Sequence, residues 1–171
     1  MSLAGKKIAI FLEELFEDLE FWYPYYRMQE AGAEVIAVAP KIATYTGKHG
    51  LPAKADQTIY EVKVTDVDAL IIPGGYSPDY MRRTPEMVTF VKDVHQAGKV
   101  VAAICHGGWM LASAGIIQGT RLTSFFAIKD DLVNAGADWI DQDVVSEKNI
   151  VTSRTPRDLP VFCKAIIAAL S

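Results

Sequence analysis

Short apolar runs alternate with segments of helical periodicity along most of this chain. Four of the runs are continuous enough to form strands that are buried on both faces of a sheet. They are Lys7–Leu12, Glu34–Ala39, Ala69–Ile72 and Val100–Ile104. Repeated β-then-α units favour a mostly parallel sheet, because each crossover helix returns the chain to the same end of the sheet. The pattern therefore predicts an α/β fold with helices on both faces of the sheet.

Four segments carry apolar residues at helical spacing, and several end at glycine, which is common just after a helix. They are Asp18–Ala31, Thr84–Ala97, Gly107–Ala114 and Leu159–Leu170. Two late strands, Val144–Val145 and Ile150–Thr152, flank a turn at Lys148–Asn149. The segment from Lys41 to Val67 lacks a clear β-then-α pattern, and we expect it to be irregular or hairpin-like.

The composition predicts one globular domain over residues 1–171. Half of the residues are hydrophobic and 22% are charged, which is enough apolar sequence for a sizeable core. We expect residues 1–4 to be disordered or derived from an expression vector. The net charge of −4 and the lack of a basic cluster argue against nucleic-acid binding. No apolar run is long enough for a membrane span, and two cysteines form no disulfide framework, so we expect a cytoplasmic protein.

The most informative segment for function is the end of the fourth strand, where Ile104 is followed by Cys105-His106-Gly107-Gly108. A strand that turns sharply into a helix leaves the turn residue at a helix N-terminus, where the pKa of a thiol falls and the thiolate becomes a nucleophile. Ala103 and Gly107 are small, as such an elbow requires. The alternative is a buried, inert cysteine. His106 would either contact the thiol or provide only its backbone N–H.

Two other loops follow strands at the same end of the sheet. Pro73-Gly74-Gly75 lets the backbone approach a ligand, and the Gly75 N–H is a candidate second oxyanion donor beside that of His106. An ordinary turn is the alternative. The stretch Glu13–Glu20 is acidic, and Glu17 and Glu20 lie on one helix face, so either carboxyl could reach the thiol.

The remaining candidates have simpler interpretations. His95 lies near a helix C-terminus and Cys163 on an apolar helix face, so both are expected to be structural. Neither a zinc motif nor a phosphate-binding or dinucleotide-binding motif is present, so we expect no metal and no cofactor. The aromatic residues Tyr76, Trp109 and Phe126 are candidate walls of a small pocket.

These residues together carry a family resemblance that covers nearly the whole chain. The sequence resembles the PfpI family of intracellular cysteine proteases and amidases, within the class I glutamine amidotransferase-like superfamily that also includes the parkinsonism-associated deglycase. The strongest matching pair is Ala103–Gly107 with Asp68–Gly75, and the other matching segments are Phe16–Glu20, Tyr23–Tyr25, Thr46–Gly50, Ile128–Asp131, Asn134–Gly136 and Thr152–Arg154.

The resemblance implies a flavodoxin-like three-layer sandwich and a thiol nucleophile at Cys105 with His106 as its partner. It also implies that Glu20 hydrogen-bonds the nucleophile, with Glu17 as its acidic neighbour. In the protease-like members the third catalytic group comes from an adjacent subunit, and the matching residue is Asp79, where the archaeal protease has Glu. Such a site requires a homo-oligomer, a dimer or a hexamer. Lys48 and His49 are then expected to be structural or interface residues.

The resemblance leaves the reaction open. A cysteine-dependent hydrolase of the PfpI protease type, acting on a peptide, is the first expectation. The alternatives are a cofactor-free glyoxalase or deglycase, which would act on methylglyoxal or glycated adducts, and a non-enzymatic stress protein. In that last case Cys105 would be oxidised as a sensor, or the oligomer would act as a chaperone.

Overall fold

A central sheet of seven strands organises the molecule, which is described here for residues 2–171 of a computed structural model. The spatial order is β10-β11-β7-β6-β1-β2-β5, and every neighbouring pair is parallel except β10 with β11. The sheet strands are β1 (Lys7–Phe11), β2 (Glu34–Ala39), β5 (Gln57–Thr58), β6 (Ala69–Ile72), β7 (Val100–Ile104), β10 (Val144–Glu147) and β11 (Ile150–Ser153). The predicted mostly parallel α/β fold is confirmed.

Six helices cover the sheet. They are α1 (Asp18–Glu30), α2 (Ser77–Met81), α3 (Pro85–Gln96), α4 (Gly108–Ser113), α5 (Lys129–Asn134) and α6 (Leu159–Leu170). Short 3₁₀ turns occupy Val64–Asp66, Cys105–Gly107, Phe126–Ile128 and Pro156–Asp158. None of the helices in the described part of the chain has both the length and the apolar character needed to cross a bilayer.

Alternation of side chains along the strands creates two hydrophobic cores, one on each face of the sheet. Ile8 and Ile10 of β1 pack on one side with Phe162 of α6, whereas Ala9 and Phe11 pack on the other side with helix α3. Both faces of the strands are therefore buried, which explains why their sequences are continuously apolar. The three-layer arrangement expected from the resemblance is confirmed.

The segment between β2 and β6 contains a small hairpin of β3 (Thr44–Thr46) and β4 (Pro52–Lys54), in agreement with the hairpin-like expectation. A second small sheet pairs β8 (Arg121–Leu122) with β9 (Asp138–Trp139) in parallel. These two short strands have no signal in the sequence, because two residues are too few for a detectable periodicity.

The N-terminal residues differ from the expectation that residues 1–4 are disordered or vector-derived. Met1 lies outside the described residues. Leu3 is fully buried, and its N–H donates to the Ala31 carbonyl at 2.7 Å. Burial of a leucine side chain contributes roughly 1.5–3 kcal/mol, which is enough to fix a short terminal segment against the end of α1. The expectation of disorder is therefore wrong for Leu3.

The sheet topology brings three loops together at one edge of the sheet. β1 lies between β2 and β6, so the order of strands reverses beside β1, and ligand sites of open α/β sheets form at such a switch. The loops that follow the carboxyl ends of β1, β6 and β7 contain the acidic stretch, the glycine pair and Cys105. The site is built from these three loops.

Candidate active site

Cys105 occupies a strained turn between β7 and the 3₁₀ turn Cys105–Gly107. Its φ is +59°, a left-handed conformation that residues other than glycine rarely adopt. Gly107 permits the turn, because a Cβ there would lie 2.6 Å from the Ile72 carbonyl oxygen. Strain of this kind costs about 1–3 kcal/mol and persists where the surroundings impose it, often at functional sites. The geometry matches the predicted elbow.

Two backbone N–H groups surround the sulfur. The N–H groups of Gly75 and His106 both hydrogen-bond Cys105, as expected for the two oxyanion donors. Gly75 has a φ of +74°, and a Cβ there would lie 2.5 Å from both the Glu17 nitrogen and the Leu15 carbonyl oxygen. Only glycine fits this position. An ordinary turn does not require such close contact with the neighbouring loop, so that alternative does not explain the glycine.

Glu20 is fully buried beside Cys105. Its Oε2 accepts the Gly74 N–H at 2.7 Å, whereas Oε1 has no backbone or side-chain donor among residues 2–171. Burial, reinforced by the charge of Glu17, raises the pKa of Glu20 from 4.5 to about 8. Glu20 is therefore mostly protonated at neutral pH, and its carboxyl group is placed to hydrogen-bond the Cys105 side chain.

The thiol environment differs from the sequence expectation of a lowered pKa. Burial raises the pKa of Cys105, and a charged Glu20 raises it further, whereas the N–H groups of His106 and Gly75 lower it. Burial and then the charge of Lys48 lower the pKa of His106, so the imidazole is neutral and gives no cationic support. Protonation of Glu20 removes its negative charge, which is one of the two causes that raise the pKa of Cys105. The site therefore depends on Glu20 rather than on a histidine cation.

His106 faces the sulfur through its ring. Its Nδ1 lies 3.3 Å from Cys105 Sγ. The two side chains are therefore in contact, although the side chains of adjacent residues on a helix do not face each other. The imidazole stacks on Phe125, with ring centres 5.0 Å apart, and meets the edge of Trp109 at 5.1 Å. Of the two roles left open for His106, the structure is compatible with both side-chain contact and the backbone N–H.

Glu17 reaches the cavity as the partner of a lysine rather than of the thiol. Its carboxylate lies 2.7 Å from Lys48 Nζ and 3.5 Å from His49 Nε2, and the hydrogen bond that Lys48 donates to Glu17 raises the pKa of Lys48. Asp18 fixes this loop by accepting the backbone N–H groups of His49 and Leu51. Lys48 also lines the cavity, in addition to the structural or interface role expected from the sequence.

The glycines of the Thr46–Gly50 segment are the sequence signal from which the position of Lys48 near the site could have been predicted. A Cβ at Gly47 would lie 2.5 Å from the carboxylate of Asp18, so the loop must pass close to the start of α1. The group Glu17, Asp18 and His49 has its ligand atoms within 4.8 Å of one another. Those carboxylates already accept hydrogen bonds from Lys48 and from backbone N–H groups, so the cluster is accounted for as an ion-pair network.

The thiol opens into a cavity of about 260 Å³. It is lined by Glu17, Glu20, Lys48, Gly75, Tyr76, Cys105, His106, Trp109, Phe125, Thr155 and Pro156. The predicted walls Tyr76 and Trp109 are present. Phe126 is 71% exposed and lines the adjoining cavity instead of this one, where Phe125 takes its place. A second cavity of about 660 Å³ adjoins the first and shares Phe125, Thr155 and Pro156 with it.

The other predicted residues lie away from this cavity. Asp79 pairs with Arg83 on the exposed surface of α2 and does not line the cavity of its own chain, so its role through an adjacent subunit stays a prediction. His95 lies in the last turn of α3. Cys163 is buried in the core, where burial raises its pKa to about 12, in agreement with a structural role.

The fold and the site together define a class of protein: flavodoxin-like α/β proteins with a cysteine at a strand-to-helix elbow. The model of the DJ-1/PfpI family matches residues 6–169. The chain belongs to the DJ-1/PfpI family.

Similar proteins carry more than one name. Protein/nucleic acid deglycase 2 of Escherichia coli is 45% identical over 169 residues, covering 97% of this chain and 98% of that protein. Deglycase PfpI of Pyrococcus furiosus is 41% identical over 164 residues, covering 96% and 99%. The Bacillus subtilis protein YraA, provisionally named a cysteine protease, is 43% identical over 159 residues, covering 92% and 94%. The names indicate enzymes of the hydrolase or deglycase kind.

A solved structure from Anabaena variabilis has the same fold. It is a two-domain protein containing DJ-1/ThiJ/PfpI-like and ferritin-like domains, with a TM-score of 0.96 and 42% identity. The match covers 97% of this chain and 48% of that one, so this chain spans about half the length of the two-domain protein.

Proposed function

We propose that this protein is a cysteine-dependent enzyme of the deglycase kind, which converts 2-oxoaldehydes such as methylglyoxal, free or bound to an amine, into 2-hydroxy acids. One observation carries the proposal: the buried, protonated Glu20 lies beside the Cys105 sulfur in a small cavity. The conversion needs a thiol that adds to a carbonyl and a group next to it that exchanges a proton with carbon. The deglycase names of several relatives support this choice over the peptidase.

In the first step, the neutral His106 ring takes the thiol proton of Cys105 through Nδ1, and the resulting thiolate adds to the aldehyde carbon. The sulfur–carbon bond forms, the carbonyl π bond opens, and the oxygen is held by the N–H groups of Gly75 and His106 while it takes the proton of Glu20. The product is a hemithioacetal, and Glu20 is left as a carboxylate. No proton has been lost from the site, so Glu20 can now act as a base.

The second step moves a proton from the aldehyde carbon to the neighbouring carbonyl carbon. Glu20 removes the proton and returns one to the adjacent carbon, and His106 carries the proton between the two oxygens. The result is a thioester of a 2-hydroxy acid on Cys105. Water cleaves this thioester and regenerates the thiol. The net reaction adds one water to the 2-oxoaldehyde, and an amine adduct additionally releases its free amine.

The proposal includes an assembly and a compartment. Asp79 is exposed in its own chain, and we infer that it orients His106 of a neighbouring chain in a dimer or hexamer. Both cysteines are free, which suits a reducing cytoplasm.

The test is release of lactate from methylglyoxal and from a methylglyoxal-modified lysine derivative. Cys105→Ser should lose the activity to background, whereas Cys163→Ser should keep it, because Cys163 lies in the core away from the cavity. Glu20→Gln should lower kcat by at least about a hundredfold, since it removes the proton-transfer group. Turnover that survives Cys105→Ser would contradict the proposal.

Peptide hydrolysis is the second candidate, and the adjoining cavity of about 660 Å³ favours it. A peptide has residues on both sides of the scissile bond, and this cavity would hold those on one side. A panel of fluorogenic peptides, assayed with the same variants, separates the two reactions. Cleavage that depends on Cys105 in the absence of lactate release would select the peptidase.

A further inference from the structure

The imidazole of His106 is held mainly by aromatic packing. In a thiol–imidazole pair the base is ordinarily oriented by a third, polar group. Here Cys105 Sγ is the sole hydrogen-bonding neighbour of the His106 ring within residues 2–171. The ring lies between Phe125, stacked at an interplanar angle of 28°, and the edge of Trp109 at 69°. Within one chain, packing against these two rings therefore fixes where Nδ1 points, and the Asp79 carboxylate proposed from a neighbouring chain would add to this positioning.

Trp109 is itself held by contacts outside the cavity. Its Nε1–H donates to Asp131 Oδ2 at 2.8 Å, which ties α4 to α5. The Arg82 guanidinium lies 5.5 Å from the centre of the indole, and Arg82 Nε donates to Ser113 Oγ at 2.8 Å. A half-buried indole with its polar atom engaged keeps one orientation, whereas a free indole at the rim would rotate.

We propose that Trp109 and Asp131 are positioning residues that hold the His106 imidazole against the Cys105 sulfur. Asp131 fixes the indole through its N–H, and the indole edge closes one side of the slot in which the imidazole sits. The kinetic consequence rests on the proposed function, but the orientation of the ring can be measured without turnover. Asp131 does not line the thiol cavity, so it acts only through Trp109.

The ionisable groups around His106 come from several elements. Lys48 lowers its pKa together with burial. The groups that face the ring directly, or face it through Trp109, are Cys105, Glu17, Glu20, Lys48, Arg82 and Asp131. Loosening the indole admits water to the imidazole, so the pKa of His106 should rise toward its usual 6.5. A purely structural role of Asp131 would lower the amount of folded protein and leave this pKa unchanged.

The test compares Asp131→Leu with Asp131→Asn and with a matched control, Asp130→Leu. Asp130 is an exposed neighbour on the same helix that does not bond the indole. Histidine ring NMR follows the titration, and His106→Gln assigns the resonance among the three histidines of the chain. We expect Asp131→Leu to shift the His106 titration upward and to lower kcat about tenfold with KM unchanged. Asp131→Asn should restore both, because its amide oxygen can accept the same hydrogen bond.

Trp109→Phe provides an independent variant that keeps an aromatic edge but loses the N–H. It should resemble Asp131→Leu, with circular dichroism confirming the fold. The proposal is overturned if Asp131→Leu and Asp130→Leu give the same His106 titration as the wild type. A titration shift in Asp131→Leu without turnover on any substrate would support the positioning role and count against the proposed function alone.

Discussion

At the scale of single residues, the proton that Glu20 holds beside Cys105 decides the chemistry of the site. Burial raises the pKa of both groups, and a charge on Glu20 would raise that of Cys105 further, so Glu20 keeps its proton at neutral pH. With the proton on Glu20, a thiolate formed at Cys105 accepts hydrogen bonds from Glu20 and from two backbone N–H groups. The arrangement explains how a thiol that burial disfavours as an anion can still act as a nucleophile.

The raised pKa of Glu20 predicts a pH-dependent stability. Its pKa near 8 exceeds the usual 4.5, so the folded protein binds this proton more tightly than the unfolded chain does. The contribution to stability is complete below pH 4.5 and is lost as the pH rises through 8, at roughly 1.4 kcal/mol for each pH unit. Glu20→Gln cannot ionise, so its free energy of unfolding should not show this loss. The difference between the free energy of unfolding of Glu20→Gln and that of the wild type should therefore increase as the pH rises over this window.

Urea denaturation at a series of pH values measures the difference. Glu30→Gln, at the exposed end of the same helix, is the matched control and should run parallel to the wild type. Parallel curves for Glu20→Gln and the wild type would show that Glu20 is already ionised in the folded protein, and the mechanism would lose its proton donor.

At the scale of elements, the loops after β1 and β6 are joined by backbone hydrogen bonds and lie next to the Cys105 sulfur. Phe16 and Gly75 make a β-bridge, the Glu17 N–H donates to the Gly74 carbonyl at 3.2 Å, and the Tyr76 N–H donates to the Leu15 carbonyl at 2.9 Å. These bonds position the Gly75 N–H and the start of α1 together. The oxyanion donor and the glutamate are therefore supported by the same backbone contacts.

Gly75→Ala should disrupt the contacts between these two loops. The Cβ would need a left-handed backbone at φ +74° and would lie 2.5 Å from backbone atoms of the neighbouring loop. The matched control is Gly98→Ala, which has φ +72° and open space around the added methyl group. Gly98→Ala should cost about 1–2 kcal/mol of stability from the backbone conformation alone and keep full activity. Gly75→Ala should cost more and lose activity, and equal effects of the two variants would contradict the role given to this loop.

At the scale of the whole molecule, the sheet topology brings the three loops together, and a neighbouring chain is proposed to complete the site. Asp79 faces outward on α2, and its partner in the chain is Arg83. Mixing two inactive variants tests the completion across an interface. If one chain supplies Cys105 and another supplies Asp79, co-refolded Cys105→Ser and Asp79→Ala chains should regain activity.

Random pairing of equal amounts of the two chains predicts about a quarter of the wild-type activity. Each variant refolded alone is the control and should stay inactive. Size-exclusion chromatography with light scattering establishes that the mixture forms the same assembly. Absence of any recovery in mixed oligomers would place Asp79 outside the site.

Sequence patterns predicted the centre of the site better than its walls. Three strands with clear apolar runs precede Cys105, Gly75 and Glu20. Because these strands are parallel, their carboxyl ends lie at one edge of the sheet. Lys48 lies in a segment without periodicity, so its approach to Glu17 depends on contacts that only the folded chain reveals. Phe125 takes the place predicted for Phe126 because the direction of a side chain after a two-residue strand has no sequence signal.

The central claim is that Cys105 carries the acyl group during turnover. Acid quenching of the reaction with methylglyoxal, followed by mass spectrometry of the intact chain and of its peptides, tests this directly. The expected result is a mass increase equal to one lactoyl group, released by hydroxylamine as a lactohydroxamate, located on the peptide that contains Cys105 and absent from the peptide that contains Cys163. Steady turnover with Cys105 unmodified throughout would contradict it.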